Sequence, residues 1–447
     1  MCVNEERECR AEGKRTPIRI LVDHGGYEFR NMGDVGMLQA AVARLQELWP
    51  GAKFFIFARE TERLQEYCPG AVPVSVNGRE IWLQERNLFG ALYRMIPGSL
   101  ARRLAHYEAD VRVQHADWAA HRIDRRLSRR GVDITPMREF LDAVRGVDML
   151  VTVGGTYLTD TFVWQADRVL ETVRLAGALG KPVGMFGQGI GPLTEPLLRH
   201  KLREAAGIAK VLALREERRS KEVLTSIGVS VDHLPVTGDD TIEMVYREKA
   251  ADLGSGFGVN MRFARYSGVS LKEVAEVRRV IAYFSRRVEA PVYGIPISRH
   301  AGDSDVATAE MLLRSIPTAR DCGAELDTPL AVIRRLSECR LMLTGAYHGA
   351  VYALAQGIPV VALVKSSYYR NKFEGLRDQY GEGCQVLNFD QPDFLASLES
   401  ALNQQWEAAP RLRNRLLSVA EEQIKRGREA YRQFQILTGY CPSLEAA

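Results

Sequence analysis

Residues 341–367 read LMLTGAYHGAVYALAQGIPVVALVKSS. A short apolar run, LMLT, breaks at the small residues Gly345 and Ala346. A helical-period segment, GAVYALAQ, follows and stops at Gly357, and a second apolar run, IPVVALV, begins at once. Two apolar runs joined through a short helix predict a βαβ unit, with parallel strands buried on both faces. His348 stands where the first strand hands over to the helix. A neutral imidazole there can take or give a proton near neutral pH, so His348 is the sharpest candidate for a functional side chain.

The same alternation extends in both directions. Upstream stand IRILVDHGG, KFFIFAR, VDMLVTVGGTY, KPVGMFGQGIG and KVLALREER, each followed by a polar or glycine-rich turn and a helical stretch. Around residues 246–256 (YREKAADLGSG) the chain turns polar and glycine-rich, as a linker would. A second series follows: FGVNMRFA, APVYGIPIS, CRLMLTGAYH, IPVVALVKSS and CQVLNFD. The expected fold is α/β, two doubly wound parallel-sheet, Rossmann-like domains facing a cleft. The first covers residues 16–248 and the second 255–440, with the last helical stretch (391–437) packing back on the first. Residues 94–145 break the alternation. They are helical in pattern and rich in arginine, and predict a basic helical insertion in the first domain. Such a surface is a candidate for peripheral membrane contact; a solvated helical hairpin over the sheet is the plainer expectation.

The totals bound the rest. At 447 residues the chain is too long for one core. Hydrophobic residues make up 46% and charged residues 26%, and the net charge is only +4, so nothing calls for nucleic acid. Seven cysteines are scattered without paired-ligand spacing, which fits a reducing cytoplasm rather than a disulfide framework or zinc site. The first twenty residues lack a signal-peptide core, and no window approaches the roughly 18 apolar residues of a membrane span. A soluble cytoplasmic protein is expected.

In open α/β sheets ligands bind beyond the carboxyl ends of the strands, so the residues just after each apolar run are the candidates. Asn31 and Asp34 follow the first run at the start of a helix. Gly154 and Gly155 follow the third, and Gln188 lies in the glycine turn expected after KPVGMF. Arg215 comes directly after VLAL, and Asp239 and Asp240 after LPVTG. Arg262 ends the first strand of the second domain, and Arg299, His300, Asp303 and Asp305 follow a later one. An arginine at a strand end can hold phosphate or carboxylate through both arms of its guanidinium. No dinucleotide or P-loop glycine pattern occurs, and no acidic spacing is diagnostic of a metal. Neither cofactor nor metal is expected.

The N-x-G-D turn at Asn31, Gly33 and Asp34, the strand ends VGGTYL and GQGIGPL, and the segments LALREERRSKEVLTSIGV, VTGDDTI, VNMR, TGAYHGAVYALAQGIPVVAL and YYRNKFEGL occur in one order. In this order the chain resembles the polysaccharide pyruvyl transferase family, from about residue 18 to about residue 388, the basic insertion omitted. The resemblance implies a GT-B-like fold and transfer of a pyruvyl group from phosphoenolpyruvate onto a sugar or glycoconjugate, forming a ketal across two hydroxyls. It implies Arg215 and His348 as catalytic residues; the reading of the residues themselves adds Asn31, Asp34, Gly154, Gly155, Gln188, Asp239, Arg262, Tyr347 and Lys372 as substrate contacts. Two positions depart from the pattern. Ala346-Tyr347 stand where Arg-Leu commonly precedes the histidine, and Asp240 stands where proline is usual. Arg262, Lys365, Arg370 or Lys372 can supply the lost charge. A transferase with a nucleotide-linked donor on the same frame, or a binding protein without catalysis, remain the alternatives.

Overall fold

The computed structural model describes residues 17–84, 88–89 and 96–440. Residues 1–16, Cys2, Cys9, Cys441 and the first residues of the insertion therefore lie outside it. Among the described residues Cys68, Cys322, Cys339 and Cys384 are free thiols.

Among the described residues thirteen strands form two parallel sheets. The first holds β1 (Arg19–Asp23), β2 (Lys53–Ala58), β3 (Val72–Ser75), β4 (Met149–Thr152), β5 (Gly155–Leu158), β6 (Val183–Ile190) and β7 (Val211–Leu214). Its order is β3-β2-β1-β4-β6, with β5 and β7 both paired to β6. β4 and β5 lie along the same side of β6, since Leu150 pairs with Val183 and Leu158 with Ile190. They are one strand bent at Val153-Gly154. Counted so, the sheet reads 3-2-1-4-5-6, the doubly wound order. The second sheet holds β8 (Gly256–Asn260), β9 (Val292–Gly294), β10 (Ala319–Asp321), β11 (Cys339–Thr344), β12 (Val360–Val364) and β13 (Cys384–Asn388), in the order β10-β9-β8-β11-β12-β13. That is the same winding. The central strands β4, β6, β8 and β12 are buried along their whole length and β11 at every residue but Arg340, which is why the sequence shows them as largely apolar runs.

One expected strand end moves. The sequence places a turn after KPVGMF, but β6 continues through Gly187, Gln188 and Gly189 to Ile190 because the bent β5 pairs with its second half. Gly187 takes a positive φ of 57° there, and a Cβ on Gly154 would come within 2.7 Å of its carbonyl oxygen. The glycines serve strand-to-strand approach at a bend.

The arginine-rich insertion forms helices Gly98–Gln114, Ala116–Ser128 and Thr135–Gly146. Ala119, Ile123, Leu127, Met137, Phe140 and Leu141 pack into one core with Leu21, Phe57 and Leu150 of the first sheet. Several of its cations are paired: Arg112 with Glu108, Arg138 with Asp124 and Arg145 with Asp117. The 45-residue helix Phe394–Thr438 begins against the second half and ends on the first. There Tyr431 stacks on Phe186 at 3.8 Å, and the Trp49 indole N–H donates to the Tyr440 carbonyl. Among the described residues no helix is long and apolar enough to cross a membrane.

Candidate active site

The carboxyl ends of the two sheets face each other across a cavity of about 400 Å³. From the first half, β1 ends in Asp23, which is fully buried with Arg79 at 2.5 Å and accepts the Tyr27 hydroxyl at 2.9 Å. This pair anchors the loop His24-Gly25-Gly26 at the cavity wall. His24 stacks on Phe29, its Nε2 lies 2.9 Å from the Phe57 carbonyl, and burial pushes its pKa down, so it is neutral. Asn31 then caps the helix Met32–Leu48, its Oδ1 accepting from the N–H groups of Gly33 and Asp34. Asp34, in the first turn, lines the cavity, and its carboxylate has no hydrogen-bond partner among the described residues.

Arg215 and His348 come from opposite halves and meet at Asp239. Arg215 follows β7, and its Nη2 lies 3.3 Å from Asp239 Oδ2; its Nε donates to the Gly187 carbonyl at 3.2 Å. His348 opens the helix Tyr347–Ala355, and its Nε2 lies 3.5 Å from the same Oδ2. The other oxygen of Asp239 accepts from the Thr241 hydroxyl and N–H, so the carboxylate is locked in place. Burial opposes its charge, but Arg215, His348 and Thr241 together hold its pKa far below the usual carboxylate range. Two glycines make room for these side chains. A Cβ on Gly33 would fall 2.0 Å from the His348 ring, and one on Gly154 within 3.2 Å of Arg215 Nη2.

The second half adds Tyr347, whose ring lies 5.3 Å from the Arg215 guanidinium carbon and 4.6 Å from Lys372 Nζ. Lys372 projects from the helix Ser367–Tyr380; Tyr368 is its one hydrogen-bond partner among the described residues, at 3.2 Å. Burial, with Arg215 adding repulsion, pushes its pKa down to about 7. Arg262 lines the cavity too, but its nitrogens are committed to Asp303, Asp305 and Tyr266. Phe162, Tyr266, Tyr368 and Tyr369 form an aromatic wall joining both halves.

Of the residues expected from sequence, Asn31, Asp34, Gly154, Gly155, Arg215, Arg262, Tyr347, His348 and Lys372 line this one cavity. Asp239 stands behind it, touching Arg215 and His348 rather than the open space. Gln188 is a correction of position. It is fully buried inside β6, its amide donating to the carbonyls of Phe186 and Val153, because the strand does not end where expected. Asp240 is likewise turned inward, bonded to Arg44 at 2.7 Å. Lys365 is paired with Glu273, and neither it nor Arg370 lines the cavity. Arg59, Gln165 and Arg168 were not anticipated. Arg59 ends the run KFFIFAR and was open to the strand-end rule; Arg168 lies inside a helix and gave no signal. Away from the cavity, Asp110, His200 and Glu204 have metal-ligand spacing, but Arg174 already pairs with both carboxylates.

The sequence profile of the polysaccharide pyruvyl transferases matches residues 31–367, three quarters of the chain. The protein belongs to the polysaccharide pyruvyl transferase family. It is a transferase. Its fold is GT-B-like: the UDP-GlcNAc 2-epimerase of Neisseria meningitidis, solved with UDP-GlcNAc, superposes with a TM-score of 0.52 at 12% identity, over 95% of this chain and 99% of that one. A UDP-glucosyltransferase of Polygonum tinctorium gives 0.50 at 12%, over 96% and 100%. At such identities the likeness shows the fold alone. No curated protein matches by sequence. Ala346 and Tyr347 precede the histidine, and Lys372 Nζ stands 4.6 Å from the Tyr347 ring.

Proposed function

We propose that the protein transfers the pyruvyl group of phosphoenolpyruvate onto two hydroxyls of a sugar or glycoconjugate, forming a ketal and releasing phosphate. One observation carries this reading: Arg215 and His348, from opposite halves, share Asp239 at the wall of one cavity. A donor bearing carboxylate and phosphate needs fixed cations in a site largely shielded from water, and Arg215 with Lys372 supplies them. Lys372 then does the work of the arginine that Ala346-Tyr347 replaces.

The reaction requires a proton on the donor's C3, which turns the methylene into a methyl and leaves positive charge at C2. His348 delivers that proton, held in orientation by Asp239. One acceptor hydroxyl attacks C2 and gives up its proton to Asp34, whose carboxylate has no hydrogen-bond partner among the described residues. Phosphate leaves with the C2–O electron pair, and the second hydroxyl closes the ketal. The proton taken by Asp34 returns to His348 through solvent, restoring both groups, and the proton of the second hydroxyl leaves on phosphate, so charge and atoms balance. The acceptor is presented against the wall of Phe162, Tyr266, Tyr368 and Tyr369, whose faces suit the C–H side of a sugar ring.

The test is phosphate release from phosphoenolpyruvate in the presence of glycoside diols. His348→Ala is expected to lower the rate roughly 10²- to 10⁴-fold, the usual worth of a general acid; a fully active variant removes the histidine from the mechanism. The Ala346-Tyr347 departure favours a second reading, a nucleotide-linked donor on the same frame. A bound ligand at 100 times its Kd stabilises by about 2.7 kcal/mol. Thermal shifts with nucleotide sugars and none with phosphoenolpyruvate would decide for that reading.

A further inference from the structure

Two arginines in the cavity are left over by this mechanism. Arg59 follows β2, Arg168 lies on the helix Val163–Ala178, and both line the cleft. Each places its Nη2 at 2.5 Å from the same oxygen, Glu80 Oε1. The two guanidinium groups are therefore held side by side by one carboxylate, which can neutralise only one of them. Their remaining N–H groups have no other partner among the described residues. Arg59 keeps 37% of its side-chain surface exposed and Arg168 20%, so the pair is open to the cleft rather than sealed in a core. The position is equally informative. Arg59 follows β2 and Arg215 follows β7, with β1, β4 and β6 between them. At about 4.8 Å per parallel strand, those bases stand about 19 Å apart. With strand bases so far apart, a three-carbon donor held at Arg215 and Lys372 leaves Arg59 and Arg168 to a second anionic group.

We infer that Arg59 and Arg168 form a second anion subsite, which takes the phosphate of a phosphate-linked acceptor while its sugar lies over the aromatic wall toward His348. Paired guanidinium forks suit the several oxygens of a phosphate or diphosphate, and the surplus positive charge supplies the attraction. The acceptor is then a glycosyl phosphate, carried either on a nucleotide or on a lipid. This deepens the pyruvyl transfer reading, yet the anion subsite is testable without turnover.

Calorimetric titration of the full chain with inorganic pyrophosphate measures it. In Arg59→Gln/Arg168→Gln the affinity at this subsite is expected to fall tenfold or more, because both charge-assisted guanidinium forks are lost. Phosphoenolpyruvate binding, read through Lys372 and Arg215, should not change. Glu80→Gln guards against a merely structural role: releasing both guanidinium groups should tighten pyrophosphate, whereas loss of a structural clamp would weaken it. Unchanged pyrophosphate binding in the double variant, or weaker binding in Glu80→Gln, overturns the proposal. UDP-N-acetylglucosamine and phosphatidylcholine vesicles with polyprenyl phosphate separate the carriers. Arginine-dependent binding of either supports the proposal, and binding of pyrophosphate with neither overturns the acceptor assignment. If pyrophosphate behaves as expected while phosphoenolpyruvate neither binds nor reacts, pyruvyl transfer fails and the subsite stands.

Discussion

At the scale of single residues, the site is held by contacts too close for substitution. Gly33 lies under the His348 ring, with room for a hydrogen and nothing larger. Gly33→Ala should displace the imidazole, cutting kcat by about 10²-fold, the usual cost of a 1 Å misplacement, and lowering stability by about 1–3 kcal/mol from overpacking. Steady-state rates and thermal unfolding check both; an active, stable Gly33→Ala would show that the ring has another resting place. Lys372 sets a pH dependence. Its folded pKa, pushed down to about 7, lies below its ordinary value, so between pH 7 and 10 the lysine is neutral in the native site. Donor affinity should then fall as pH rises through 7, and Lys372→Arg, which stays charged, should remove that fall. Phosphoenolpyruvate Kd values across pH 6–9 give the answer. The residue level also shows what local reading missed. Asp239 was visible as a strand-end aspartate, but its position behind both Arg215 and His348 requires two chain segments more than a hundred residues apart to meet.

At the scale of elements, the strands were readable because parallel sheets covered on both faces demand continuous apolar runs. Strand ends were less so. β6 overran its expected end because β5, the continuation of a bent strand, supplies backbone partners for Gln188 and Ile190. The C-terminal helix was visible as a helical period, whereas its task was not. It ties the halves together through Tyr431 on Phe186 and through Arg428 on Glu243, which also pairs with Arg44. Tyr431 is buried and its hydroxyl donates to Asp240 at 3.3 Å. Tyr431→Ala should therefore cost about 3–5 kcal/mol, the range for removing a buried aromatic ring. Denaturant unfolding measures it, and a loss below 1 kcal/mol would mean that the helix end contributes little to the first half.

At the scale of the whole molecule, the two halves touch through backbone as well as side chains. Met32 N–H donates to the Ile297 carbonyl at 2.8 Å, Arg299 N–H to Arg30 at 2.7 Å, and the Tyr352 hydroxyl to the Met32 carbonyl at 2.8 Å. These contacts bring the two strand-end fans together as one cavity. The sequence by itself determined two α/β series, the family, and most of the strand-end residues that line the cleft. Those follow from local periodicity and from the rule that parallel strands present their carboxyl ends to ligands. Only the tertiary structure decided which of those side chains stay free to meet a ligand. Arg262, Asp240 and Gln188 are consumed by partners distant in sequence, while Lys372, Asp34, Arg59 and Arg168 keep bonding capacity toward the open space. The physical reason is that a polar group's availability depends on everything packed around it, and burial forces it to bond with whichever neighbour the fold supplies.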